Sequence, residues 1–154
     1  MNVKIINFDM DGTIADLYAV ENWLPKLRAY DASPYKDAAP LVHLSTLARY
    51  IHKAQNLGWQ VNIVSWLSKD PDPDYGVAVT LAKMAWLAEH LPSVRFDNLI
   101  IVPYGIPKHN LSAGILFDDE LPNRTAWNEA DENNHAYDES TIFEVLKMIA
   151  AGEL

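Results

Sequence analysis

Apolar residues recur along this chain with two different periods. Val3 to Phe8, Trp59 to Val64, Asn98 to Val102 and Gly114 to Phe117 are short runs rich in Val, Ile, Leu and Phe, and His135-Ala136-Tyr137 is a weaker fifth. Runs of this length and composition predict strands, several of them buried on both faces. Between them the spacing changes to three and four. Leu44, Leu47, Ala48, Ile51 and Ala54 predict one helix, with Gly58 after Leu57 as its stop. A second is predicted from about Tyr75 to His90, with Leu81, Met84, Ala85 and Leu91 on its inner side, Lys83 on its solvated side, and Pro92 beyond its end. A third starts near Ser140 and carries Ile142, Phe143, Val145, Leu146 and Ile149. Strands alternating with helices predict an α/β protein of βαβ units around a parallel sheet.

The span from Gly12 to about Pro40 breaks this rhythm. It is too long for an ordinary strand-to-helix connection. It holds a helical piece from Val20 to Leu27, then a polar stretch with Pro34 and Pro40. These features predict a small cap, about 14–40, inserted after the first strand of a single domain covering 1–154.

Composition narrows the function classes. No apolar run approaches the ~20 residues that cross a bilayer, and Asp9 and Asp11 interrupt the N-terminal apolar stretch, unlike a secretory leader. With no cysteine there is neither a disulfide framework nor a thiolate nucleophile, and a cytoplasmic setting is the default. A net charge of −9 argues against binding long nucleic acid. A small anionic substrate would need local cations, a metal ion or a placed lysine, to overcome that field.

Candidate chemistry sits where the strands end. Asp9, Ser65 and Asp118-Asp119 each follow a predicted strand, and Lys108 lies in the loop before the fourth. Ligands of open parallel sheets bind beyond the carboxyl ends of the strands, so these residues should converge. The set suits transfer of a phosphoryl group. Asp9 can attack phosphorus, and Asp11 can protonate the leaving oxygen and then activate water. Side-chain alternation puts Asp9 and Asp11 on one side and Met10 on the other, and Gly12 permits a tight turn beside the substrate. Ser65 can donate to a phosphate oxygen and Lys108 supplies fixed positive charge. Gathering Asp9, Asp118 and Asp119 without a cation is costly; a magnesium ion removes the repulsion and favours oxygen ligands.

Phe8-Asp9-Met10-Asp11-Gly12-Thr13 resembles the first signature of the haloacid dehalogenase-like (HAD) hydrolases. Ser65 is similar to that superfamily's second motif, Lys108 to its third, and Asp118-Asp119 after Ile115-Leu116-Phe117 to its fourth. The resemblance spans nearly the whole chain in order. It implies a three-layer Rossmann-like parallel sheet with a C1-type helical cap. It also implies a magnesium-dependent phosphatase working through an aspartyl-phosphate, because an Asp at the position of Asp11 marks that branch. The metal would be held by Asp9, the backbone carbonyl of Asp11, and Asp118 or Asp119. Gly12 and Thr13 complete the motif beside the substrate. The small size, the Asp-Asp form of the fourth motif and Lys108 ten residues before it most resemble the 5'(3')-deoxyribonucleotidase branch, implying a nucleoside monophosphate as partner and a monomer or homodimer. Trp66 after Ser65 departs from the pattern and predicts a narrower pocket.

Several features admit other readings. Asp9 to Val20 does not complete a calcium loop, because the twelfth position lacks Glu. Asp70-Pro71-Asp72-Pro73-Asp74 reads as a solvated loop with Asp74 as a candidate N-cap. Lys69 and Lys83 compete with Lys108, which is favoured by its loop position. Among the tryptophans, Trp59 and Trp86 suit the core, whereas Trp23 in the cap and Trp66 beside Ser65 can contact a flat leaving group. The remaining alternatives are a phosphatase for sugar or amino-acid phosphates or nucleic-acid 3' phosphates, and a non-catalytic phosphate-binding protein.

Overall fold

The computed structural model describes residues 3–69 and 72–154. Five strands form one parallel sheet: β1 (Ile5–Phe8), β4 (Gln60–Trp66), β5 (Asn98–Val102), β6 (Ile115–Phe117) and β7 (His135–Tyr137). Their spatial order is β5-β4-β1-β6-β7. The two-residue strands β2 (Ala15–Asp16) and β3 (Ala39–Pro40) pair antiparallel at the root of the insertion. Helices α3 (Leu44–Asn56) and α4 (Pro73–His90) connect β1 to β4 and β4 to β5, while α5 (Leu121–Ala130) connects β6 to β7 and α6 (Ile142–Ala150) follows. Right-handed crossovers moving outward in one direction put α3 and α4 on one face; the opposite step from β6 to β7 puts α5 on the other.

The pleat sorts the core accordingly. Ile6, Phe8, Val61, Ile63, Ile115 and Phe117 join Leu47 and Ile51 of α3, Trp86 and Leu87 of α4, and Val145 and Ile149 of α6. Asn7, between Ile6 and Phe8, points the opposite way. It begins an amide row in register across the sheet, buried at Asn7 and Asn62 and ending at exposed Asn98. Asn98 Nδ2 donates to Asn62 Oδ1 at 3.0 Å, and Asn62 Nδ2 to Asn7 Oδ1 at 3.2 Å. Asn7 Nδ2 donates to the Ala113 and Ile115 carbonyls at 2.9 and 3.0 Å. A slip by one residue would strand these amides, so the row helps to fix strand register.

Register in turn positions the site. Phe8 lies opposite both Ile63 and Phe117, so Asp9 and Asp118, each one residue further on, emerge side by side.

Local structure departs from the sequence-based expectations in four places. The helix expected from Val20 begins at Trp23, because Asn22 adopts a left-handed conformation at φ 57° and breaks any continuous helix. The segment between β2 and β3 thus comprises a 3-10 turn (Leu17–Ala19), α1 (Trp23–Arg28) and α2 (Ser33–Asp37). Helix α5 escaped the periodicity because its one buried residue is Trp127. Asp72, not Asp74, caps α4, accepting from the amides of Asp74 and Tyr75 at 2.9 and 3.1 Å; Asp70 and Pro71 of that loop lie outside the described residues. Finally, α4 is turned relative to its expected orientation. Leu81 and Met84 are 60% and 44% exposed, whereas Tyr75, Val79, Lys83, Trp86 and Leu87 face inward. A helix apolar on every side gives no periodicity from which to choose a face. Trp59 and Trp86 are in the core, as their surroundings in sequence suggested.

Candidate active site

Asp9 is held at the end of β1, its amide donating to the Phe117 carbonyl at 2.9 Å. The chain then wraps around the Met10 carbonyl, which accepts from the amides of Thr13, Ile14 and Ala15 at 3.0–3.1 Å. Met10 is turned into the core and Asp9 and Asp11 line the cavity. Gly12 sits at φ +79°, and a Cβ there would lie 2.2 Å from Asp119 Oδ2. Only glycine combines that backbone conformation with so close an acidic neighbour. Thr13, fully buried, stands behind the carboxylates: its hydroxyl donates to Asp9 Oδ2 at 2.9 Å and accepts from the Asp119 amide at 3.2 Å.

Lys108, 4% exposed, reaches in from a 3-10 turn (Lys108–Asn110). Its ammonium donates to Asp9 Oδ1 at 2.9 Å and Asp118 Oδ2 at 2.7 Å. Its rival Lys69 is exposed, with its ammonium 5.2 Å from the Tyr104 ring centroid on the cavity rim. Burial alone would discharge Lys108, but Asp9 and Asp118 outweigh it and hold its pKa above the usual lysine value.

Asp118 has donors on both oxygens. Oδ1 accepts from the Glu120 amide at 2.9 Å, and Oδ2 from Asn123 Nδ2 at 3.2 Å as well as from Lys108. Asp119 is less encumbered, with Thr13 Oγ1 3.4 Å from its Oδ1. Carboxylate oxygens of Asp9, Asp118 and Asp119 lie within 4.8 Å of one another. Burial and the nearby Asp9 charge push Asp118 up to about 6 and Asp119 up to about 8. One ammonium does not neutralise three gathered carboxylates, and their hard oxygen donors fit a small divalent cation such as magnesium.

The second lysine is a correction to the sequence reading. Lys83 is not on a solvated face; it is fully buried and ion-paired to Asp11 at 2.7 Å. A lone lysine in mid-helix reads as a solvated side chain, and the signal against that was α4's lack of any other charge from Tyr75 to Ala88. Burial raises the Asp11 pKa and outweighs the opposing effect of Lys83. Ser65 is also fully buried, with Lys83 Nζ 2.6 Å from its Oγ, and stands behind the cavity wall rather than on it.

Above these groups opens a cavity of about 740 Å³. Its walls include Tyr18, Trp23, Leu24 and Tyr35 of the insertion and Trp66, Ser68 and Tyr104 from the strand ends. Tyr18 and Trp23 meet edge to face at 5.0 Å between ring centroids. Trp66 is held in the cavity wall: its indole donates to the Ile106 carbonyl at 2.7 Å, and its ring packs 4.9 Å from that of Tyr104.

No family model matches the chain, and a search of curated proteins finds no match. Among solved structures, it resembles the D,D-heptose 1,7-bisphosphate phosphatase of B. bronchiseptica, determined with magnesium and phosphate. The two share 15% sequence identity and superpose with a TM-score of 0.56 over 95% of this chain and 99% of that one. The likeness establishes the fold: a Rossmann-type α/β architecture of the HAD-like kind, as the motif resemblance implied.

Proposed function

We propose that this protein is a magnesium-dependent phosphomonoesterase that forms an aspartyl-phosphate on Asp9. The observation carrying this reading is the meeting of Asp9, Asp118 and Asp119 beside Lys108 at the floor of a cavity, with Asp11 adjoining. The likeness to a phosphatase solved with magnesium and phosphate supports it.

Asp9, the Asp11 carbonyl and Asp119 would hold the metal; Asp119 is preferred to Asp118 because it has fewer hydrogen-bond donors on its oxygens. Magnesium bound there would offset the three carboxylates and draw charge from the phosphate oxygens. Asp9 attacks phosphorus as the bond to the leaving oxygen breaks, and the Asp11 carboxyl gives that oxygen its proton. Asp11, now ionised, takes a proton from water as the water oxygen attacks phosphorus and frees Asp9. Lys108 stabilises charge on the transferring group and aims Asp9 through its hydrogen bond to Oδ1. Thr13 orients the other Asp9 oxygen.

The aromatic walls favour a flat leaving group, and a nucleoside monophosphate fits both the cavity volume and Trp23, Trp66 and Tyr104. A sugar phosphate is the second reading, supported by the substrate named for the structural neighbour. Screening deoxynucleoside, ribonucleoside and sugar monophosphates with magnesium separates them. Turnover of an aryl phosphate by Asp9→Asn at the wild-type rate would overturn the proposed chemistry.

A further inference from the structure

We propose that Lys83 is a positioning residue for proton transfer: it grips Asp11 by Oδ2, so that Oδ1 is the oxygen that carries the proton to the leaving group. This rests on the phosphatase reading above.

An ammonium has three N–H donors and no acceptor. All three are used here, to Asp11 Oδ2 at 2.7 Å, Ser65 Oγ at 2.6 Å and the Trp66 carbonyl at 2.7 Å. The ammonium also lies 5.0 Å from the ring centroid of Tyr35, in cap helix α2. The lysine is therefore clamped between β4, the cap and the loop after β1, with 0% of its surface exposed. It cannot itself reach a substrate.

Its consequence falls on Asp11. An oxygen already accepting from a cation is a poor place for a proton, so the acidic form of Asp11 carries its hydrogen on Oδ1. No hydrogen bond is recorded to Oδ1 among the described residues, and Asp11 lines the cavity. Ser65 is thereby an anchor: toward Lys83 its oxygen can only accept. A general acid held in one orientation loses no time and no entropy finding the leaving oxygen.

General acid catalysis matters most when the departing alkoxide is strongly basic. The test is a magnesium assay of wild type, Lys83→Met, Asp11→Asn and the double variant over aryl phosphates of graded acidity and an alkyl phosphate. We expect Lys83→Met to lower kcat/KM, which reports the transfer to Asp9 and not the later hydrolysis, on the order of a hundredfold for the alkyl ester, but little for a dinitrophenyl ester. In the Asp11→Asn background the same change should add nothing. Loss of kcat/KM by the same factor for every ester, or multiplicative losses in the double variant, would overturn the proposal while leaving the phosphatase reading intact. A wild type inactive on every ester would overturn both. If Lys83→Met does not fold, Lys83→Arg keeps the charge but misplaces the grip and should show the same leaving-group selectivity; wild-type behaviour in a folded Lys83→Arg would count against the proposal.

Discussion

Removing divalent cations should make this protein less stable as pH rises, and Asp118 provides the size of the effect. In the metal-free fold, burial and the Asp9 charge raise Asp118 from 3.8 to about 6. A carboxyl whose folded pKa lies above its unfolded value stabilises fully below the unfolded pKa, and that contribution is lost as pH climbs through the folded pKa. For Asp118 the window is from about 4 to about 6; Asp119, raised to about 8, extends the decline further. At ~1.4 kcal/mol per unit, Asp118 alone accounts for roughly 3 kcal/mol, or a fall in Tm of roughly 6–12 °C for a chain of this length. Asp119 is half-buried and shares the same neighbouring charge, so its effect is not added. Magnesium reverses the sign by favouring the ionised carboxylates. The assay is thermal unfolding from pH 4 to 8 in chelator and in millimolar magnesium. The net charge of −9 also penalises high pH, so the slope is compared with that of Asp118→Asn, which should be shallower. A chelator-treated wild type with the same slope as Asp118→Asn, or a magnesium effect no larger at pH 8 than at pH 5, would refute the reasoning.

Gly12→Ala should weaken magnesium binding by about ten- to a hundredfold, read by calorimetry, because its Cβ would displace the Asp119 carboxylate from 2.2 Å. Lys108→Met leaves Asp9 and Asp118 buried without their cation, and should cost about 3–5 kcal/mol in chelator, with magnesium recovering part of it in urea unfolding. Asn62→Ala removes the donor to buried Asn7 Oδ1 and should cost about 1–3 kcal/mol in the same measurement; magnesium affinity should stay near that of wild type.

Much of the fold was legible because the strands are continuous apolar runs between breakers. Asn98–Val102 and His135–Tyr137 match the sequence-based limits to the residue. The convergence of Asp9, Asp118 and Asp119 was legible for a topological reason: all follow strands of one parallel sheet, whose carboxyl ends share an edge. What escaped depended on side chains whose surroundings are set by tertiary packing. Lys83 looks like any lysine in mid-helix, and its burial follows from which side α4 turns to the sheet. Leu81 and Met84 misled because α4 is apolar all round. Ser65 was expected just past the end of a strand, but β4 continues through Trp66 and holds the Ser65 hydroxyl behind the cavity wall, against Lys83.

Whether Asp9 receives the phosphoryl group can be settled by trapping it. Asp11→Asn, lacking the base that activates water, is mixed with an aryl phosphate and magnesium, quenched in acid and digested for mass spectrometry. A phosphoryl group on the peptide containing Asp9, absent when chelator is added, is the predicted result. Rapid turnover of the ester with the label on another residue, or on none, would contradict it.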